Sequence, residues 1–277
     1  MDIETSTNRE LSIAHLSGSP FDNLITLKML SMYPNECATT LYRDESGWVC
    51  RTELGAKVSA WDRNEYPLAD RIVMLDGNSP SIFGHSLRHQ PTDLVVYKVH
   101  DQWSRFILGE DPQFYHANSF HSYSNMSQVL DTAQSDVPVV EQHSQYDDEA
   151  AALFVASGYV AQEFRFHLDR GAQWFAVREK NRIVSFCLAF QIFGKIWEIG
   201  GVLTLREYRR KGFAKAVMSA ALGYLNAFKL IPRYQFHYRN SASRCLAESL
   251  GLKPRLIVDH YINAGVKRSD PAQVESA

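Results

Sequence analysis

Between Trp197 and Ala214 the chain reads Trp-Glu-Ile-Gly-Gly-Val-Leu-Thr-Leu-Arg-Glu-Tyr-Arg-Arg-Lys-Gly-Phe-Ala. Those residue types can hold a phosphorylated ligand. Arg209, Arg210 and Lys211 offer charge to phosphate oxygens. Gly212 allows a close backbone approach, and Ala214 keeps the next turn clear of a large side chain. An apolar strand before this turn and an amphipathic helix after it would aim a row of backbone N–H groups and a helix dipole at one spot. A diphosphate fits such a spot. Taken alone, Arg-x-x-Gly-x-Ala also describes a solvated basic helix start.

Glu198 lies eleven residues before Arg209, between Trp197 and Ile199 in an otherwise apolar stretch. Apolar surroundings disfavour a charged carboxylate, which would fit Glu198 to take a proton as a general base. The competing reading is a strand-face carboxylate paired with a nearby Lys or Arg. Gly200-Gly201 inside the strand marks a bulge that would free a backbone N–H near Val202. Asn240, at the end of the next strand, can both cap a helix and reach a ligand, and Gly251 closes that helix.

The positioning elements follow from hydrophobic spacing. In the second half, Glu149 to Leu168 is expected as one or two helices broken near Gly158. Trp174–Arg178, Ile183–Ile192 and Lys195–Thr204 form three strands. Arg209 to Phe228 is a helix whose stripe of Ala216, Val217, Ala220, Leu222 and Leu225 faces the sheet. A strand over Arg233–Tyr238, a helix from Asn240 to Gly251 and a strand over Arg255–Ile262 follow. This makes a mixed, helix-covered sheet. The first half reads as α/β, with a helix over Pro20–Tyr33, strands over Thr39–Tyr42, Trp48–Leu54, Val58–Trp61, Arg71–Leu75 and Leu94–Val99, and a helix over Trp103–Leu108. It carries no chemical signature, and the sequence shows no internal repeat.

The expected organisation is an N-terminal α/β domain over 1–125, a polar connection over 126–146, a second domain over 147–265 and a polar tail over 266–277. The 277 residues carry a formal net charge of -2, which argues against a general nucleic-acid surface. With 45% hydrophobic residues a core is readily built, yet no run approaches the roughly 20 apolar residues needed to span a membrane. Four scattered cysteines without a CxxC pair, and no secretion signal at the N-terminus, point to a reduced, cytoplasmic protein.

Several of these features, in order, resemble the GCN5-related N-acetyltransferase (GNAT) superfamily over about residues 147–262. The acyl-CoA motif matches Arg209, Gly212 and Ala214; the segment before it matches Thr204, Tyr208 and Arg209. The late Asn-x-x-Ser-x-x-Leu…Leu-Gly element matches Asn240, Ser243, Leu246, Leu250 and Gly251. The whole chain also resembles bacterial acetyltransferases with an extra N-terminal half, itself readable as a degenerate relative of the same fold. The resemblance implies acetyl-CoA as acyl-donor substrate and no metal. Its pyrophosphate would rest on Arg209, Arg210, Lys211, Gly212, Phe213, Ala214 and Lys215, and its pantetheine on Val202, Leu203 and Thr204 between two splayed strands, with Asn240 and Ser243 nearby. Glu198 stands at the same distance from the motif as the base of the histone-acetylating members. The implied partners are an acyl-CoA and a small amine-bearing acceptor, not a nucleic acid or membrane, with a homodimer as a further expectation.

One departure stands out. Where many members place a proton-donating Tyr seven residues after the Asn, this chain has Ala247. Tyr238, His260 and Tyr261 lie near strand ends and are the substitutes to consider. A CoA thiolate leaves tolerably even without full protonation, since a thiol pKa is near ~8.5. His85 and His89 share helical spacing, but no third ligand accompanies them. His116 and His121 sit in an aromatic stretch that reads as packing; Cys187 reads as buried, and Cys245 has no activating His. The competing functions are a non-catalytic acyl-CoA-binding module, favoured by the missing Tyr, and a nucleotide-binding protein, which lacks the Gly-Lys-Ser/Thr and three-glycine fingerprints.

Overall fold

Helices begin where the sequence supplies an acceptor for their first free N–H groups. Asn8, Ser59, Asp101, Asp147 and Asn240 each accept from the backbone N–H three residues on. The computed structural model describes residues 3–87, 93–125 and 138–263. The chain divides into two compact units, Met1–Ser119 with Val258–Ala277, and Phe120–Ile257.

The first unit runs β1 (Glu4–Ser6), α1 (Arg9–Leu16), α2 (Leu24–Met32), β2 (Ala38–Asp44), β3 (Gly47–Gly55), α3 (Ala60–Glu65), β4 (Arg71–Gly77), α4 (Pro80–Ser86), β5 (Val95–Val99), α5 (Gln102–Glu110) and the start of β6 (Phe114–Ser124). Neighbours in its sheet are antiparallel except β4 and β5, which run parallel in register from Arg71↔Val95 to Leu75↔Val99. One sheet face buries Ile72, Met74 and Val96; the other buries Val73, Leu75, Val95 and Tyr97. That alternation is the period of two expected of a sheet covered on both sides.

The second unit takes the end of β6 and continues through β7 (Glu141–His143), α6 (Asp148–Ala156), α7 (Ala161–Leu168), β8 (Gln173–Glu179), β9 (Arg182–Phe193), β10 (Ile196–Thr204), α8 (Phe213–Ala227), β11 (Ile231–His237), α9 (Ser241–Ser249) and the start of β12 (Lys253–Asn263). Here too the single parallel neighbours, β10 and β11, flank a crossover helix. Beneath α8 and α9 lies a core of Val184, Cys187, Ile199, Val217, Leu222, Leu225, Phe236 and Ala247. Burying each of its larger side chains stabilises the fold by roughly 1.5–3 kcal/mol. The opposite face is aromatic: Phe154 stacks on Tyr159 at 4.3 Å, and Phe164 and His167 pack against Phe186 and Phe190.

The second half therefore follows the expected order closely. α8 starts at Phe213, later than expected, because Arg210 and Gly212 adopt left-handed backbone that cannot continue a helix, after a 3-10 turn over Arg206–Tyr208. The first half departs more. Val58–Trp61, expected as a strand, leads into α3, since the Ser59 hydroxyl accepts from Asp62 N and starts a helix instead. The Pro20–Tyr33 helix shrinks to Leu24–Met32 behind a series of turns. Helices α1 and α4 and strands β6 and β7 were not anticipated; β7 pairs antiparallel with β8 inside the expected connection.

The unit division also differs from expected boundaries at 125 and 147. Both units share one element order, apart from the extra α3, although the sequence shows no repeat. Within the second unit the end of β6 pairs with β11, and within the first unit the end of β12 pairs with β5. His89, residues 126–137 and the tail lie outside the described residues. Among the described residues, no helix is long and apolar enough to cross a membrane.

Candidate functional site

The basic turn has the backbone that its residues suggested. Arg210 and Gly212 adopt left-handed conformations, with φ of 67° and 83°. A methyl placed at Gly212 would meet nothing within 4 Å, so conformation rather than crowding calls for glycine there. No side chain caps the first turn of α8, which leaves its leading N–H groups facing outward as donors. Arg210, Lys211 and Lys215 are exposed around them. Arg209 folds back, its Nε donating to the Thr204 carbonyl at 3.1 Å, and Lys211 Nζ lies 5.1 Å from the Tyr208 ring.

The strands preceding and following α8 part company. β10 and β11 pair only at Ile196↔Ile231, Trp197↔Pro232 and Glu198↔Arg233. Beyond that, Val202, Leu203 and Thr204 on β10 and residues up to His237 on β11 lack ladder partners in each other. Facing backbone groups without partners need a ligand or solvent. The expected bulge is present as well: the β10–β9 register shifts between Gly200 and Leu203, and Gly201 has φ 64°. A side chain at Gly200 would stand 2.6 Å from the Tyr159 hydroxyl, and one at Gly201 2.8 Å from Phe154.

Glu198 occupies the last rung before the strands separate, only 6% exposed. Its surroundings are not the apolar ones expected from Trp197 and Ile199. Arg233, 1% exposed, forms an ion pair with Oε2, and the Tyr159 hydroxyl donates to Oε1 at 3.2 Å. The reading in which a strand-face carboxylate meets a cation is thus the arrangement observed. Arg233 Nε also donates to Ser122 Oγ at 3.1 Å, while its Nη2 has no partner among the described residues. Burial, followed by the nearby Glu198 charge, raises the Tyr159 phenol well above its usual value, so it stays protonated.

Asn240 caps α9 by accepting from Ser243 N at 3.0 Å, and the Ser243 hydroxyl accepts from Tyr234 at 2.8 Å. Burial pushes the Tyr234 phenol up to about 12. Ala247 is fully buried in the core under the sheet. Of the substitutes considered for the missing Tyr, Tyr238 lies just past β11, its hydroxyl accepting from Arg239 Nε at 2.7 Å. His260 and Tyr261 belong to the first unit: Tyr261 donates to the Arg105 carbonyl, and His260 bonds the Tyr66 hydroxyl.

Sequence reasoning missed Tyr159 and Arg233. A charged residue in the apolar strand Ile231–Phe236 was the available signal, since a buried guanidinium demands a partner. His116, Ser119 and Asp259 do meet in the first unit, but the serine donates to the carboxylate and one imidazole nitrogen faces both. That arrangement relays no proton from serine through histidine to aspartate. Among the described residues, no group of three or more His, Cys, Asp or Glu is placed to hold a metal ion.

An uncapped left-handed turn into a helix thus stands beside a parallel pair that opens, with free backbone donors on both. Residues 128–252 match the model of the acetyltransferase (GNAT) family. The chain carries a GNAT acetyltransferase domain. For this domain the match implies acyl-CoA-dependent acetyl transfer. Solved structures share the fold over nearly the whole chain. A GCN5-related N-acetyltransferase from Sphaerobacter thermophilus aligns at TM-score 0.61 and 13% identity, covering 97% of each chain. A Drosophila protein aligns at 0.63 and 10% identity, over 96% of this chain and 99% of its own. A tandem GNAT protein from the clavulanic acid biosynthesis pathway aligns at 0.57 and 12% identity, over 97% of this chain and 100% of its own. No curated protein matches the sequence.

Proposed function

We propose that the GNAT domain is an N-acetyltransferase that moves an acetyl group from acetyl-CoA to a primary amine of a small acceptor. The observation that carries this reading is the opening of β10 from β11 on the strand that leads into the uncapped turn at Gly212. The diphosphate would lie against N–H groups from Arg210 to Lys215, and the pantetheine along Val202 to Thr204. A backbone donor at the Gly200–Leu203 bulge would meet the oxyanion as the thioester is attacked. The amine nitrogen bonds to the carbonyl carbon, the C–S bond breaks, and CoA leaves as thiolate. Glu198 takes the amine's proton in this reading. A thiolate is a tolerable leaving group, which makes a core Ala247 compatible with turnover.

The first unit reads as a degenerate copy of the same fold. It repeats the element order, but β4 and β5 stay paired along five rungs, and the short α4 begins at Pro80 with no left-handed glycine in the turn before it. It thus offers no comparable slot. All four cysteines are free, which supports a cytoplasmic setting.

A non-catalytic acyl-CoA-binding role is the second reading, favoured by Ala247 and by the ion pair that occupies Glu198. Substituting Glu198→Gln and measuring both turnover and affinity separates the two. An enzyme loses acetyl transfer and keeps acetyl-CoA binding; a binding protein acetylates nothing in either form.

A further inference from the structure

A guanidinium that is 1% exposed and still has an unpartnered nitrogen is expensive to maintain. Arg233 is such a group, and its place is specific. It stands on the last paired rung of β11, on the sheet face covered by the α6–α7 connection that carries Tyr159. Two edges of its planar fork are taken: Nη1 by Glu198 and Nε by Ser122. Nη2 is left over, buried and without a partner among the described residues, on the last rung before the strands part. The proposed acetyl transfer occurs in that same opening.

We infer that Arg233 recognises the acceptor by donating from Nη2 to a carbonyl-type oxygen, carboxylate or carboxamide, carried beside the acceptor's amino group. The acceptor is then of the α-amino acid class or an amide of it. This inference rests on the acetyltransferase reading and goes further by naming the substrate class. A planar guanidinium suits such an oxygen better than an ammonium does, because its donors are fixed in direction. Glu198 already balances the charge of Arg233, so a neutral carboxamide oxygen satisfies Nη2 as a carboxylate does. Ser122 and Glu198 hold the fork in place without ligand.

The experiment compares matched probes with the full chain and acetyl-CoA: lysine, lysinamide and cadaverine, then phenylalanine, phenylalaninamide and phenethylamine. Free CoA release and acetylated product are both measured. The acid or the amide is used with kcat/KM at least about tenfold above the decarboxylated amine, the size expected of one hydrogen bond to a charged donor. Which of the two leads tells carboxylate from carboxamide. Arg233→Lys retains a cation opposite Glu198 but lacks the third donor edge; it narrows that ratio towards one while acetyl-CoA affinity is unchanged. Equal use of cadaverine and lysine by the unaltered chain, or acetylation of none of the six probes, overturns the inference and needs no variant to fold. Those results leave the acetyltransferase reading standing if acetyl-CoA binds. Failure to bind acetyl-CoA at all removes both.

Discussion

Glu198 and Arg233 face each other on the last rung shared by β10 and β11, and their side chains join in an ion pair that solvent barely reaches. The proposed base and the cation that balances it are therefore placed by the same ladder that opens into the proposed coenzyme slot. Removing one partner strands the other charge in a dry setting. Arg233→Met is expected to destabilise the second unit by about 3–5 kcal/mol, read from urea unfolding. A loss below about 1 kcal/mol would mean that solvent reaches the pair far better than its burial indicates.

Gly212 holds φ 83° with open space where a side chain would be. Gly212→Ala should cost roughly 1–2 kcal/mol through its left-handed backbone alone. It should also weaken acetyl-CoA binding, because the methyl enters the volume left for the diphosphate. Calorimetry on the variant checks both effects. Loss of stability with unchanged affinity would place the diphosphate elsewhere.

Ala247 stands where a proton-donating Tyr is common in the family, but it is packed into the core with no exposure. Ala247→Tyr is expected to overpack that core, at a cost of about 1–3 kcal/mol, and to leave turnover no faster. A clear gain in kcat would show that α9 can present a phenol to the slot.

The first unit carries a pH dependence of its own. His100 Nε2 meets Asp76 Oδ1 at 2.9 Å. Burial alone would lower this imidazole, but the hydrogen bond and charge of Asp76 outweigh it and bring it above its ordinary value. The stabilisation is complete below the unfolded value near ~6.5 and disappears as pH rises through the raised folded value. The urea midpoint should therefore fall as pH rises from the unfolded value of ~6.5 through the raised folded value, and His100→Gln should flatten that fall. Identical profiles for the two proteins would contradict the assignment.

Much of the second half was legible because its signals are local. The Gly200-Gly201 bulge, the turn at Gly212 and the Asn240 cap each depend on residues within a few positions of each other. The electrostatics of the site were not legible. Arg233 and Tyr159 reach Glu198 from 35 and 39 residues away, and nothing near Glu198 in sequence announces either. In the first half, β-branched and aromatic residues around Val58–Trp61 imitate a strand, and a single serine hydroxyl turns them into a helix start. The pairing of β6 with β11 and of β12 with β5 is long-range in sequence, which hydrophobic period alone does not encode.

The central claim is that acetyl-CoA docks in the second unit, between the Gly212 turn and the opened edge of β10. Hydrogen–deuterium exchange of the full chain with and without acetyl-CoA tests it most directly. Amides from Arg210 to Ala216 and from Val202 to Thr204 should slow together on binding, while β4 and α4 of the first unit stay unchanged. Protection confined to the first unit, or no protection at saturating acetyl-CoA, would contradict the account.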